Sequence, residues 1–501
     1  MHTNAGPAPV ETGRRLAHHR GRRVVVLGGT CVPHFRSDRH AGRALALAAL
    51  LLTALAPARA EVILHAFNWR FAEVTSRAPE IARLGYRAVL VSPPQRSEGT
   101  PWYQRYQPQD YRVVDSPLGT LADLRAAASA LRAHGVALHV DVVFNHMANE
   151  AGQRGDLDYP GARVLAEYLL SQPRFEQQLL FGDLRSTLFT AADFHPARCI
   201  TDYNDPVQVR TGRLCGGPGD AGLPDLAATP RVLDAQRSYL RALRALGATG
   251  FRVDAAKHMD LAHLGAVFTA DVREGATVYG EIITGGGEGN AEYRLYLQPY
   301  LAGTDHAAYD FPLFHATRNA LSFGARLDAL ADAPSRGQAL PGGRAITFAV
   351  NHDIPLNGIF RGLILDPVDE TLAWAWVIGR GEGTPLLYSD HDESGDRRWV
   401  DLWRRPDIAA MVGFHNATRR ADYALLSAGA CHLLFRRGDV GLVGINKCAE
   451  PQTLTLSAGQ LGLKPLRTYR EVIAGGSLTP GSDGDRVVLP PRATRMWLVG
   501  K

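Results

Sequence analysis

Four short apolar runs in this chain end in side chains that can do chemistry. Gly250-Phe251-Arg252-Val253-Asp254-Ala255-Ala256-Lys257-His258 sets an aspartate two residues after an arginine. A guanidinium at that spacing keeps a nucleophilic carboxylate ionised, low in pKa and aimed. Lys257 is one of only four lysines in a chain whose other cations are arginines, so the position selects a compact ammonium. Val278-Tyr279-Gly280-Glu281 ends in an acid, Asn351-His352-Asp353 in an acid beside a histidine, and the run from Asp141 ends in Asn145-His146. A lone aspartate after a strand ordinarily caps a helix or forms a turn. Several such ends in one chain fit a shared site better, in which one carboxylate stays charged while another holds a proton to donate. A zinc-type hydrolase is the weaker reading, because the histidines lack metal-pair spacing.

A frame must bring these ends together. Residues 61–67, 88–92, 136–144, 249–254, 277–281, 345–350 and 384–388 are brief, apolar and branched, which predicts buried parallel strands. Helical stretches lie between them. In 231–246, Val232, Ala235, Tyr239, Leu243 and Leu246 recur at helical spacing before Gly247. This alternation predicts an α/β fold, a (β/α)8 TIM barrel, whose strand C-termini converge on one mouth. A doubly wound open sheet fits the spacing, but no Gly-rich phosphate loop follows the first strand. Residues 147–229, irregular and rich in Gly, Pro, Asp and Tyr, are too long for a connection and predict a small domain inserted after strand three. The expected organisation is therefore a pre-sequence at 1–60, the barrel at 61–146 and 230–406, the insert at 147–229, and a C-terminal all-β domain at 407–501.

The runs DVVFNH (141–146), GFRVDAAKH (250–258), YGEII (279–283) and AVNHD (349–353) are similar, in order and placement, to the four main motifs of the α-amylase family of glycoside hydrolases. LPDL (223–226) resembles a fifth, and the likeness runs over roughly residues 61–450. It implies retaining hydrolysis of α-1,4-glucosidic bonds. Asp254 would be the nucleophile, held ionised by Arg252. Glu281 would be the general acid, its pKa raised by nearby negative charge, and Asp353 would stabilise the transition state. The two working carboxyls of a retaining enzyme lie roughly 5–5.5 Å apart. The resemblance further implies sugar contacts from His146, His352 and Arg252, with Lys257 and His258 on the leaving-group side. Trp102-Tyr103-Gln104-Arg105-Tyr106-Gln107 supplies rings for stacking on apolar sugar faces, with Tyr106 at the cleavage-site glucose and Trp102, Tyr103 and Gln107 around it. Trp399 and Trp403, near the barrel's end, read as core or domain-interface residues. Asn145, Asp225 and the carbonyls of Arg210 and His258 match the family's structural Ca2+ ligands, all hard oxygens. Chloride, which some members bind, is not expected. Arg252 and Asn351 match two of its ligands, but 384–388 offers no third base.

Composition sets the remaining bounds. The 501 residues carry a formal charge of +5, but nine arginines against Glu11 and Asp38 give the first sixty residues +7, leaving −2 for the rest. A near-neutral body argues against nucleic acid and suits an uncharged glucan. Arg39 and Arg43 precede an apolar run from Ala44 to Ala56 and then Ala58-Arg59-Ala60, the pattern of an export signal cleaved near Ala60. The expectation is a secreted or periplasmic monomer with no membrane contact after cleavage. Of five cysteines, four follow that point. Cys431 and Cys448 sit equidistant from a turn at Gly438-Asp439 and should face each other, leaving Cys199 to pair with Cys215. An endo-acting α-amylase is the leading functional reading. An exo-acting or transglycosylating relative is its neighbour, and a catalytically dead barrel serving as a binding protein is the rival of another class.

Overall fold

In the computed structural model the described residues are 61–500, so the export signal and its cleavage site lie outside them. Eight parallel strands close into a barrel: β1 (Ile63–Ala66), β2 (Ala88–Val91), β3 (Ala137–Val143), β4 (Ala248–Asp254), β5 (Thr277–Gly280), β6 (Ala307–Tyr309), β7 (Ala345–Thr347) and β8 (Thr384–Ser389). Each pairs with its neighbours in sequence, and β8 closes on β1 through Ile63 opposite Leu386. The doubly wound alternative is thereby excluded. β1, β2 and nearly all of β3 and β4 are buried on both faces, which is why they read as continuous apolar runs.

The helices that matter here are α1 (Phe71–Arg83), α2 (Leu121–Ala133), α3 (Pro206–Thr211), α4 (Pro230–Leu246), α5 (Phe311–Leu321), α6 (Pro367–Gly379) and α7 (Pro406–Thr418). In α4 the Thr229 hydroxyl accepts the Val232 N–H, Pro230 occupies the first turn, and Gly247 ends the helix at φ 103°. Its buried face is Val232, Ala235, Gln236, Tyr239, Leu240 and Leu243. The excursion between β3 and α4 contains only short helices, isolated bridges and loops, held by the Cys199–Cys215 disulfide.

Two expectations change. β6 was not foreseen, because three residues (Ala-Ala-Tyr) give no periodicity to read. The region from 407, expected to be strands, opens instead with α7, whose Ile408, Met411, Val412 and Phe414 are buried. Strands begin at β9 (Tyr423–Ala428), followed by β10 (His432–Arg437), β11 (Gly441–Asn446), β12 (Gln452–Leu456), β13 (Tyr469–Glu471), β14 (Ser477–Leu478), β15 (Asp485–Leu489) and β16 (Ala493–Val499). They form an antiparallel sheet in the order β9-β10-β11-β16-β13-β14, with β12 and β15 paired apart. The β10–β11 hairpin carries the Cys431–Cys448 disulfide at its open end. Trp399 and Trp403 are core, 1% and 0% exposed.

Candidate active site

Side chains two apart on a strand point the same way, so β4 directs both Arg252 and Asp254 inward. Arg252 is fully buried, and Nη1 donates to both oxygens of Asp141 on β3 (2.9 and 2.8 Å) and to Asp254 Oδ1 (2.8 Å). Nη2 donates to Glu281, one residue beyond β5. The chain turns sharply after Asp254, with Ala255 at φ 48°, and the Ala255 N–H donates to Glu281 Oε2 (3.1 Å). One guanidinium therefore gathers Asp141, Asp254 and Glu281. Asp353, beyond β7, completes the group. Ligand atoms of Glu281, His352 and Asp353 lie within 4.8 Å of one another, a spacing that would also admit a metal. With Glu281 already engaged by Arg252 and Ala255, the set reads more naturally as clustered acids.

Two expectations about Arg252 are corrected. It does not line the cleft and cannot touch a sugar; it lies beneath the acids and positions them. Nor does it hold Asp254 low. Burial raises Asp254 to about 7, Arg252 pulling it down and the Glu281 charge pushing it up. Burial likewise raises Asp141 to about 8. Glu281 and Asp353 are also raised, again by burial first. A single cation shared among several buried acids leaves some of them protonated, the state a general acid needs.

The acids open into a cavity of about 600 Å³. Trp102, Tyr103, Tyr106, Gln107, His146, Lys257, His258, His352 and Asp353 all line it, with Asp254 and Glu281. The Trp102–Tyr106 turn forms one wall, and His352 stacks on Tyr106 (centroids 5.6 Å apart, 7° between planes). His146 Nε2 is 2.9 Å from the Tyr106 carbonyl. Burial lowers His146 to about 4 and His258 and His352 to about 3, so all three face a ligand as neutral rings. Lys257 Nζ reaches Glu292 (2.6 Å) and the Ile283 carbonyl (3.1 Å), between the rings of Tyr203 and Tyr296. The compact ammonium thus ties β4 to the loop after β5. Cleft residues to which the sequence reading assigned no role are Tyr203, Glu292, His315 and the apolar Ile354, Ile359, Phe360 and Leu363. The last four belong to the segment after β7.

The four proposed calcium ligands lie on segments that meet where the excursion joins the barrel. The Leu226 N–H donates to the Asn145 carbonyl, and the Met147 N–H to that of Pro224. His146 and Asp225 pair as an isolated bridge. The His258 ring meets the Val209 carbonyl, which brings α3 and the Arg210 backbone against the turn after β4. Asp225 is 1% exposed. Its Oδ2 is 2.5 Å from His195 Nδ1, and its Oδ1 is buried without a partner. A buried carboxylate oxygen lacking a donor, next to the Asn145 amide, is a donor set that fits a hard cation.

The family description "Alpha amylase, catalytic domain" matches residues 71–157. An α-amylase of Aeromonas hydrophila is 48% identical over 452 residues, 89% of this chain and 97% of the relative. Among solved structures, α-amylase I of Eisenia fetida in complex with maltohexaose superposes with a TM-score of 0.68 at 25% identity, covering 88% of this chain and 95% of that one. An α-amylase of Malbranchea cinnamomea, 21% identical with a TM-score of 0.65 over 88% and 96% of the two chains, shares the fold. With its acids gathered at the mouth of a closed barrel and a relative this similar along nearly its whole length, the chain belongs to the α-amylase family of retaining glycoside hydrolases.

Proposed function

We propose that the protein is an endo-acting α-amylase, cleaving internal α-1,4 bonds of starch and related glucans. The observation that carries this reading is the placement of Asp254 and Glu281 on the two terminal nitrogens of one buried guanidinium, at the floor of an open cleft. Asp254 attacks the anomeric carbon as Glu281 protonates the departing oxygen. Glu281, now ionised, takes a proton from water, which displaces Asp254 with net retention. Asp353, His146 and His352 hold the hydroxyls of the distorted ring, and Tyr106 stacks beneath it. Tyr203 and Ile359, 42% and 80% exposed, and Tyr103, 48% exposed, reach the surface around the cleft, which supports passage of a chain in both directions.

Calcium, held by Asn145, Asp225 and the Arg210 and His258 carbonyls, would supply charge that braces the excursion against the barrel. The structure assigns it no step in the reaction. Chloride activation is not proposed, since β8 reads Thr-Pro-Leu-Leu-Tyr-Ser. Two disulfides suit an oxidising compartment, and no helix among the described residues is long and apolar enough to cross a membrane. We therefore place the enzyme outside the cytoplasm, as a monomer.

Time-resolved product analysis on amylose, with anomers followed by NMR, tests the reading. The expected outcome is an early spread of oligosaccharides, all α at the new reducing end. One short product from the first minutes would make the enzyme exo-acting, and β-anomers would exclude the double displacement.

A further inference from the structure

Part of the cleft wall sits on a stretch of the excursion with little apolar burial to hold it. Between residues 201 and 211 only Val209 is buried, and 201–204 are exposed. Tyr203, in that stretch, nevertheless lines the cleft. Its ring centroid is 5.1 Å from Lys257 Nζ, and it meets the His258 ring edge-on at 6.0 Å. Lys257 and His258 are the residues assigned to the leaving-group side, so Tyr203 stands on that side too. Its main-chain carbonyl accepts the Tyr296 hydroxyl (2.7 Å), a contact from the segment after β5. A surface loop so thinly buried opens at small cost unless something else closes it.

The Cys199–Cys215 disulfide closes it. Its two cysteines are 16 residues apart, and the loop between them contains Tyr203 and α3. At the base of the loop the Ile200 N–H donates to the Arg213 carbonyl (3.1 Å) and the Arg213 N–H to that of Arg198 (2.7 Å). Leu214, next to Cys215, pairs with Leu223 through the Leu223 N–H (2.9 Å), and both leucines line the cleft. Gly222 makes room for the bond: its φ is 71°, and a Cβ there would lie 2.4 Å from Cys215 Sγ. The cross-link thus abuts two wall residues and encloses a third. The Cys431–Cys448 disulfide differs, since no residue from 431 to 448 lines the cleft.

We infer that Cys199 and Cys215 are positioning residues for the reaction. Their bond fixes Tyr203, Leu214 and Leu223, and so sets how tightly the leaving-group side grips the glucan and which bond is cut. The assignment rests on the glucan reading above. A closed loop has given up its freedom before substrate arrives, whereas an open one is ordered by the substrate at a cost in affinity. The acids lie on the barrel, outside the loop, so chemistry in the bound complex is left as it was.

Maltoheptaose labelled at its reducing end tests it, digested by full-length protein carrying Cys199→Ser and Cys215→Ser, with saturating calcium and at low temperature. KM should rise about threefold or more while kcat stays within about twofold. The cleaved bond should move toward the labelled end, because rings gain less from the leaving-group side. Loss of folded enzyme would instead scale all products together. Tyr203→Ala with the bond intact should move the cleavage the same way, and the two changes combined should fall short of their sum. If the serine variant does not fold, protein carrying Cys431→Ser and Cys448→Ser leaves one bond for a dithiol to open. The same shift is then expected on reduction, with its reversal on reoxidation. A cleavage pattern unchanged when the bond is opened, or shifts that add in full, overturns the proposal. The glucan reading fails separately, if protein with all four cysteines paired leaves maltoheptaose uncut.

Discussion

Asp141, Asp254 and Glu281 share the one Arg252 guanidinium, and that sharing sets how the proposed chemistry depends on pH. Asp254 must be ionised to attack, yet burial raises it to about 7. The acidic limb of kcat/KM should therefore lie well above the ordinary carboxylate range. Asp141 is fully buried and does not line the cleft, so Asp141→Asn probes the coupling without entering the reaction. Raised to about 8, Asp141 is largely protonated where Asp254 titrates, so the substitution removes little charge there and acts by freeing part of Arg252 for Asp254. That favours the ionised nucleophile, so the acidic limb should move to lower pH. A limb that stays in place, or moves alkaline, would show that Asp254 does not titrate with this cluster. The folded state also holds protons on Asp141 and Asp254 that an unfolded chain would release, so the cluster's stabilisation, present in acid, is lost as pH rises through about 7 and 8. Asp254→Asn should lower kcat on the order of a thousandfold or more while glucan binding persists. Near-normal turnover would remove Asp254 from the nucleophile role.

The elements explain what the sequence made legible and what it hid. β4 was readable because its apolar residues and its functional Arg252 and Asp254 alternate with period two, and Gly250 falls where an added Cβ would meet the His139 ring at 2.3 Å. α4 was readable because cap, stripe and terminal glycine agree. β6 was too short to read, and the apolar wall after β7 was hidden because loop residues carry no period. Arg252 was misjudged for a different reason. Sequence places an arginine near an acid, but not how many acids share it. The β10–β11 hairpin could be read in full, since Cys431 and Cys448 flank paired strands with His432 opposite Asn446. Their separation of 17 residues predicts that replacing both with serine costs about 3 kcal/mol, from the freedom the unfolded chain regains. Because the hairpin lies in the terminal sheet, thermal stability should fall while KM and kcat at low temperature hold. A loss of activity without a loss of stability would mean that the terminal sheet shapes the cleft.

At the scale of the whole molecule, the barrel supplies the acids, and the excursion between β3 and α4 supplies part of the cleft wall through Tyr203, Leu214 and Leu223. Contacts between the two run through Asn145, Asp225, Val209 and His258, where backbone bonds and one uncompensated carboxylate oxygen meet. A cation bound there at a hundred times its Kd would stabilise the folded state by about 2.7 kcal/mol, provided the unfolded chain does not bind it. Chelation should therefore lower the melting temperature, and restored calcium should raise it with a dependence on concentration. Asp225→Asn keeps the size of the side chain but loses the charge, and its melting curve should no longer respond to calcium. Chemistry should respond later than stability, because none of the four ligands is one of the proposed catalytic acids. At a temperature where the chelated enzyme stays folded, kcat should hold while KM rises, as the excursion loosens its grip on the cleft wall. A melting curve indifferent to chelation in the unsubstituted enzyme would remove calcium from this junction, and kcat falling before any change in melting would place the ion in the reaction instead.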